Sequence, residues 1–295
     1  MRAPLLTLLA CGALGGGCGQ AVLDVGVPPP TYRFGTPRLL TELDTSYVNE
    51  NPTLTADLLE LFFTSGRADN SADVWTARRA SPQDPFDAPA IVSEVSTSAF
   101  DTSPAISLDG LSLYFGSDRS GGAGEVDIWV ATRADRTLPW TGVQNVAALN
   151  SSAKDIPRPP GQHGLVMPLG SARNSTVGYL TFLATRPTTD QTFGAPVLVQ
   201  GLAAADAAVA DGFLTEDGLT LFYSVTPPNQ PPDLFMATRP STAAAFSQPT
   251  ALGSLNTASD ERDPWLSPDG TTFFFSSDRS GSLQIYEVPA AAVAP

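Results

Sequence analysis

Four aspartates are the residues of this chain best suited to acid–base chemistry. Each stands just ahead of a short strand-like run or early within it, at Asp101, Asp155, Asp260 and Asp263. Two carboxyl groups held about 5–10 Å apart can hydrolyse a glycosidic bond, one as an acid and one as a base or nucleophile. Their recurrence at matching points of the chain favours a structural role in loops, so the elements that position them have to be considered first.

Few other residues of the chain could act in catalysis or bind a metal. His163 is the only histidine, which nearly excludes catalytic triads and histidine-rich metal sites, and we expect it in an exposed turn. The run from Asp69 to Asp73 resembles the start of a calcium-binding loop but lacks the glycine and the distant glutamate of a known one. We therefore predict no catalytic residue, no metal site and no cofactor.

Both cysteines lie close to the N-terminus, at Cys11 and Cys18. Met1-Arg2, a short apolar run and a glycine-rich stretch have the layout of a secretory signal. The segment resembles a bacterial lipoprotein signal, in which a cysteine behind small residues is lipidated. The residues before Cys11 match the usual motif better, but Cys18 leaves an apolar region of more ordinary length, so we favour Cys18 and keep Cys11 as the alternative.

These features predict a signal peptide over residues 1–17 and a flexible tether over 18–31. The protein is then exported and lies in the periplasm or at the cell surface, anchored to the (outer) membrane by its lipid. A formal charge of −14 excludes nucleic acid as a partner, because phosphate binding needs a basic surface. The absence of cysteine after Cys18 excludes a disulfide scaffold.

A short aromatic-led motif recurs five times, and its copies start 51 to 54 positions apart. A period near fifty residues is typical of a propeller or a solenoid. The copies are Trp75-Thr-Ala-Arg-Arg79, Trp129-Val-Ala-Thr-Arg133, Phe182-Leu-Ala-Thr-Arg186, Phe235-Met-Ala-Thr-Arg239 and Tyr286-Glu-Val-Pro-Ala290.

Each unit also contains a hairpin signal followed by a continuous apolar run. Asp109-Gly110 precedes Leu111-Ser-Leu-Tyr-Phe115, and Asp269-Gly270 precedes Thr271-Thr-Phe-Phe-Phe275. Glycine supplies the positive φ that a tight turn requires. Runs that are apolar on nearly every position indicate strands buried on both faces, as in a propeller blade between two neighbours.

One unit carries the full pattern, from Asp101 through Ser103-Pro104 and Asp109-Gly110 to Ser117-Asp-Arg119 and Asp127-Ile-Trp129. This pattern resembles the WD-type propeller repeat of the TolB family, and the resemblance covers essentially all of residues 34–290. It implies a β-propeller that makes protein–protein contacts at the bacterial envelope. Because propellers host many unrelated activities, the resemblance says more about fold than about function.

We predict an all-β, five-bladed β-propeller over residues 32–290, with four antiparallel strands per blade and a C-terminal tail at 291–295. The first outer strand, near Phe34–Leu43, has no preceding blade, and the last blade lacks an outer strand. Pairing the N-terminal strand with the C-terminal blade therefore closes the ring and removes an exposed edge.

Departures from the repeat are the best candidates for function. The recurring Ser-Asp-Arg tripeptides are expected to be structural because they repeat in phase. Where the other units are plain, the third and fifth place charges and an aromatic near one mouth of the channel, giving a candidate binding surface of Arg158, Asp260, Arg262, Asp263 and Trp265. Trp265 has an equally weighted alternative, in which it packs between blades.

These observations predict a binding or scaffold module at the cell envelope rather than an enzyme. The expected partner is an envelope protein, the expected membrane contact is the lipid anchor, and the chain is expected to be a monomer. The alternative is a carbohydrate-binding or glycoside-hydrolase-like five-bladed propeller, which two carboxylates in an open cleft would favour.

Overall fold

A computed structural model describes residues 30–43, 45–68 and 71–293 of the 295-residue chain. Over these ranges the regular structure consists of 21 β-strands. None of the described segments forms a helix long and apolar enough to cross a membrane. The proposed signal peptide, its two cysteines and nearly all of the tether lie outside the described residues.

The strands are grouped by blade and run outward from the innermost strand. Two N-terminal strands come first, β1 Thr31–Phe34 and β2 Arg38–Leu39. The first two blades contain β3 Asn49–Leu54, β4 Glu60–Ser65, β5 Asp73–Arg78 and β6 Ala90–Ile91, then β7 Asp101–Ile106, β8 Ser112–Ser117, β9 Asp127–Thr132 and β10 Thr141–Asn145. The third and fourth contain β11 Asp155–Pro157, β12 Val166–Ser171, β13 Leu180–Thr185 and β14 Val197–Leu198, then β15 Ala208–Leu214, β16 Thr220–Thr226, β17 Asp233–Thr238 and β18 Ser247–Ala251. The fifth contains β19 Glu261–Leu266, β20 Thr272–Ser277 and β21 Gln284–Val293.

Each blade is an antiparallel sheet in which consecutive strands are neighbours. Around the central channel the innermost strands contact one another from the fourth blade through the fifth and first to the third, and β15 of the fourth blade contacts β12 and β13 of the third. The described residues thus form a five-bladed β-propeller with four strands per blade, which confirms the fold predicted from the repeat.

The N-terminal strands close the ring by pairing with the last blade. Arg38 and Leu39 of β2 pair with Glu287 and Tyr286 of β21, as the sequence predicts. β1 then pairs with the far end of the same strand, with Thr31 opposite Val293. Because this pairing supplies backbone hydrogen bonds beyond residue 290, β21 continues three residues past the predicted end of the propeller.

The hydrophobic core lies between blades, because both faces of each sheet are covered. All six residues of β4 are buried. Phe62 of that strand shares a cluster with Ile106 and Phe115 of the next blade. Burying one such side chain contributes roughly 1.5–3 kcal/mol, so the interfaces between blades supply much of the stability.

The Ser-x-Arg segments have the structural role expected of an in-phase motif. Arg119 donates from Nε to Ser117 Oγ and from Nη2 to the carbonyl of Val95 and to Asp101 Oδ1, at 2.8, 2.5 and 2.6 Å. Its guanidinium also lies over the ring of Trp129. Each such arginine therefore ties the loop that enters a blade to the first residue of its innermost strand. Arg67, Arg173 and Arg279 repeat the arrangement in three other blades.

Candidate functional site

Four of the five innermost strands carry a β-bulge at the same point, near the start of the strand. The first bulge residue has a positive φ in each case, at Asn51 (57°), Ser103 (49°), Asp211 (61°) and Asp263 (58°). Positive φ is uncommon for residues other than glycine, and a bulge re-aims the side chain that it carries. The repeat thus surrounds the channel with four polar residues.

The third blade lacks the bulge. β11 pairs with β12 in unbroken register from Asp155 to Pro157. The next residue, Arg158, reaches two of the bulge aspartates, because its Nη2 donates to Asp211 Oδ1 and to Asp263 Oδ1, the latter at 2.7 Å. Two carboxylates that share one guanidinium nitrogen lie within about 6 Å of each other. The irregular blade therefore supplies the cation that the regular blades require.

Hydrogen bonds complete this channel cluster, which we define as Asn51, Ser103, Arg158, Asp211 and Asp263. Asn51 donates from its backbone N and from Nδ2 to Asp263, at 3.1 and 2.6 Å. Ser224 Oγ donates to Asp211 Oδ2 at 2.6 Å. All five members are buried. At this level the channel is closed to bulk solvent, and its carboxylates are already paired.

A second group of charges lies at the mouth of the channel, one residue before the bulges. Glu50 Oε2 is 3.8 Å from Arg262 Nη1, and Arg262 also pairs with Asp260 through Nε (2.8 Å) and Nη2. Burial, together with the negative charge of Asp263, raises the pKa of Glu50 to about 7. Burial disfavours the charge of Arg262, but the Asp260 hydrogen bonds and the surrounding carboxylates outweigh it and raise the pKa of Arg262.

Four of the five predicted site residues lie together at or below the mouth of the channel, and the fifth, Trp265, lies elsewhere. Arg158 and Asp263 lie in the closed cluster, whereas Asp260 and Arg262 lie at the mouth. Trp265 is 0% exposed and packs between blades against Phe213 and Phe274. The alternative reading of Trp265 is therefore correct, because the face of an innermost strand beyond the bulge is covered by the adjacent blade.

The other sequence candidates do not converge on the channel. Asp101 and Asp155 are buried and bound by Arg119 and Arg173 of their own blades. They therefore do not form a carboxylate pair with Asp260 or Asp263. His163 lies in a hairpin turn with its side chain 89% exposed, as predicted.

Glu50, Asn51, Ser103 and Asp211 belong to the site, and the sequence analysis did not place them there. A signal was present for Asn51, because Asn51-Pro52, Ser103-Pro104 and Asp263-Pro264 are equivalent dipeptides and Asp211-Gly212 stands at the same point. No comparable signal singles out Glu50, whose surroundings are created by the neighbouring blade.

Exposed apolar side chains flank the same mouth on the first two blades. Val48 and Phe100 each precede an innermost strand and are 41% and 44% exposed, and Tyr47 is 40% exposed. The equivalent residues are Lys154 in the third blade and Asp260 in the fifth. The mouth is therefore asymmetric, with an apolar side and a charged side.

Within the described ranges, no group of three or more histidine, cysteine, aspartate or glutamate side chains could hold a metal ion. Asp69 and Asn70, from the calcium-like run, lie outside those ranges.

Comparisons with known proteins reveal a similarity of fold. No protein-family model and no curated protein sequence matches the chain. Among solved structures, TolB from Acinetobacter baumannii is 14% identical with a TM-score of 0.53, over 84% of this chain and 56% of that one. An endo-arabinase from Bacteroides thetaiotaomicron is 13% identical with a TM-score of 0.57, over 83% and 94%. The catalytic domain of a Coprinopsis cinerea GH62 α-L-arabinofuranosidase is 9% identical with a TM-score of 0.57, over 92% and 100%.

At these identities the likeness concerns architecture alone. The chain spans little more than half of the Acinetobacter TolB that it resembles. A TolB, an endo-arabinase and an α-L-arabinofuranosidase share this fold, so the fold by itself does not decide between binding and catalysis. This chain therefore shares its overall fold with the solved structures of a TolB, an endo-arabinase and an α-L-arabinofuranosidase.

Proposed function

We propose that this protein is an exported, lipid-anchored propeller that binds a protein partner at the bacterial envelope. The binding surface is the channel mouth that carries Tyr47, Val48 and Phe100 beside Glu50, Asp260 and Arg262. The observation that carries the proposal is the composition of this mouth, where exposed aromatic and apolar side chains and a charged cluster all lie at the starts of innermost strands.

Protein interfaces combine apolar anchors with a polar rim, and aromatic and arginine side chains dominate their binding energy. Tyr47 and Phe100 would supply the anchors. Arg262, 34% exposed in its side chain, would supply a charge that selects the partner. The ion pairs already formed among these residues make the surface rigid, which lowers the entropy lost on binding.

Burial of the carboxylates supports binding over cleavage. A glycosidase needs two carboxyl groups that reach the sugar. Asp211 and Asp263 are buried and paired with Arg158, so neither offers a free oxygen to a substrate. The outer residues lie in front of this closed cluster.

Site-specific photocrosslinking in whole cells tests the proposed surface. A photoreactive phenylalanine analogue at Phe100 should capture a discrete partner, and Arg262→Glu should reduce that capture. The matched control is the same analogue at Leu138, which is 49% exposed in a loop at the opposite end of the channel. Equal capture from both positions, or none from Phe100, would contradict the proposal.

A carbohydrate-cleaving propeller is the second candidate, and Glu50 is the observation that favours it. Its pKa of about 7 suits a general acid, and its side chain is 22% exposed at the mouth. Hydrolysis of arabinan or of an aryl arabinofuranoside that is lost in Glu50→Gln would establish this function in place of the first. Turnover that survives Glu50→Gln would point to a contaminating enzyme.

The proposed anchor has its own test. Metabolic labelling with a fatty acid should mark the wild type and Cys11→Ser but not Cys18→Ser. The reverse pattern would place the anchor at Cys11. If neither the wild type nor either variant is labelled, the N-terminal segment is a secretory signal without a lipid anchor.

A further inference from the structure

The arginine that ends four of the five repeat motifs makes the same two contacts in each of those four blades. Its Nε donates to the carbonyl of a hairpin turn in its own blade, and its guanidinium stacks on the aromatic residue that opens the next segment, 4.3–4.5 Å from the ring centroid. These arginines are Arg79, Arg133, Arg186 and Arg239.

Two of these arginines are neutralised by the preceding blade. Arg133 forms a bidentate pair with Glu60, at 3.1 and 2.6 Å, and both side chains are buried. Arg79 Nη1 is 3.3 Å from Glu287 Oε1 across the ring closure. In these two blades the repeat arginine therefore points its guanidinium at a carboxylate of the preceding blade.

Arg186 has the same setting without the carboxylate. The strand position held by Glu60 in the first blade is held by Ser112 in the second, since each begins the second strand of its sheet. Among the described residues no acidic side chain forms an ion pair with Arg186, whose side chain hydrogen-bonds to the carbonyl of Gly164 and to the hydroxyl of Tyr114. Arg186 is also less buried than the other three.

An open groove of about 820 Å³ occupies the place of the missing side chain, between the second and third blades. A volume of this size fits a small molecule. Besides Arg186, its walls present hydroxyl and amide groups, from Ser107, Ser112, Thr132, Gln144, Thr189 and Gln191.

The acidic residues of the groove are engaged elsewhere. Asp109 Oδ1 accepts hydrogen bonds from Ser107 and from the backbone of Leu111. Hydrogen bonds from Thr188 and from its own backbone hold the pKa of the exposed Asp190 low, with a smaller contribution from the charge of Arg186. The aromatic walls, Tyr114 and Phe193, are 5% and 4% exposed, so they offer little surface for stacking or for a peptide anchor.

We propose that this groove binds a small sugar acid, whose carboxylate pairs with Arg186 in the place that Glu60 occupies beside Arg133. The hydroxyl and amide walls suit a polyhydroxylated ligand, and the lack of exposed aromatic anchors argues against a peptide. An arginine–carboxylate pair is bidentate and charge-assisted, so the acid group carries most of the selectivity. The site is separate from the channel mouth and does not depend on the function proposed there.

Isothermal titration of the purified chain compares methyl β-D-glucuronide with methyl β-D-glucoside, which lacks only the carboxylate. We expect the glucuronide to bind at least tenfold more tightly, and its affinity to fall at least tenfold in Arg186→Gln. Ser112→Glu should abolish binding by supplying the carboxylate from within the protein. Arg239→Gln is the matched control, because Arg239 has the same stacking and turn contact but does not line this groove, and it should bind within twofold of wild type.

Three results would overturn the proposal. They are equal affinity for the two glycosides, unchanged affinity in a folded Ser112→Glu, and tighter binding of an acidic tetrapeptide than of the glucuronide. Because Ser112→Glu adds a group at a partly exposed position, it tests the site even where Arg186→Gln does not fold.

Discussion

The two interfaces of the second blade use one repeat arginine in opposite ways. Towards the first blade, Arg133 meets Glu60, which also accepts a hydrogen bond from Arg78 at 2.8 Å. Towards the third blade, Arg186 lines an open groove together with Ser112, which holds the strand position of Glu60. A single residue difference on a neighbouring strand therefore separates a sealed interface from a cavity.

This difference shows how a repeat protein acquires a site. The side chain of Arg186 is held in position by its stacking on Phe193 and by its hydrogen bond to the turn, and both contacts lie within its own blade. The carboxylate belongs to the adjacent blade and can be lost without disturbing that framework. Sites should therefore arise at interfaces where one partner of a repeated pair is missing.

Removal of Glu60 should have the largest effect on the sealed interface. Glu60→Ala leaves Arg133 buried without a carboxylate, and breaking a buried pair in this way costs about 3–5 kcal/mol. Urea unfolding monitored by fluorescence measures the loss. Ser112→Ala at the equivalent position should change the free energy of unfolding by less than about 0.5 kcal/mol. Similar losses in both variants would show that the two interfaces do not differ.

Replacement of Arg133 and of Arg186 should lower the free energy of unfolding by unequal amounts. Arg133→Gln is expected to cost about 2–3 kcal/mol, because a hydrogen-bonded charge and its stacking are lost from a buried site. Arg186→Gln should cost only about 1 kcal/mol, mainly from stacking on Phe193. The same urea titrations check the ranking, and a larger loss for Arg186 would contradict it.

Acid should loosen the sealed interface selectively. Burial alone would raise the pKa of Glu60, but hydrogen bonds and charges from Arg133 and Arg78 outweigh it and hold the pKa below its usual range. A lowered pKa stabilises the fold above the unfolded value of about 4.3, and that stability is lost as the pH falls further. Between about pH 5 and pH 3, wild type should therefore lose more stability than Glu60→Gln. Parallel pH profiles would contradict this assignment.

Completion of the open interface should give the smallest effect. Ser112→Glu places a carboxylate opposite Arg186, and a partly exposed ion pair contributes about 0.5–1 kcal/mol. Thermal and urea unfolding against Ser112→Gln, which has the same size without the charge, isolate this contribution. A loss of stability in Ser112→Glu alone would mean that Arg186 does not face that position.

Most of the fold followed from the sequence because it rests on local, repeated patterns. The Asp-Gly turns and the apolar runs after them predicted the buried second strands, and the missing outer strand after Tyr286 predicted ring closure. The extension to β1 was not anticipated, because Thr31–Phe34 is too short to show a strand pattern.

The candidate site was predicted only in part. Charge at Arg158, Asp260, Arg262 and Asp263 stood out as a departure from the repeat, and these residues do come together at and below the mouth. Trp265 departed from the repeat too, yet it lies between blades. The chain pattern does not reveal on which side of a bulge a residue falls, and that position decides whether its side chain faces the channel or a neighbour.

The sequence alone determined the number of blades, the order of strands and the burial of both sheet faces, because each depends on patterns within one repeat. The tertiary structure decided which charges meet. Arg158 lies 53 and 105 positions from Asp211 and Asp263, and Arg133 lies 73 from Glu60. The Arg158–Asp211 and Arg133–Glu60 pairs form only when adjacent blades pack together, and the Arg158–Asp263 pair forms only when the third and fifth blades meet across the channel.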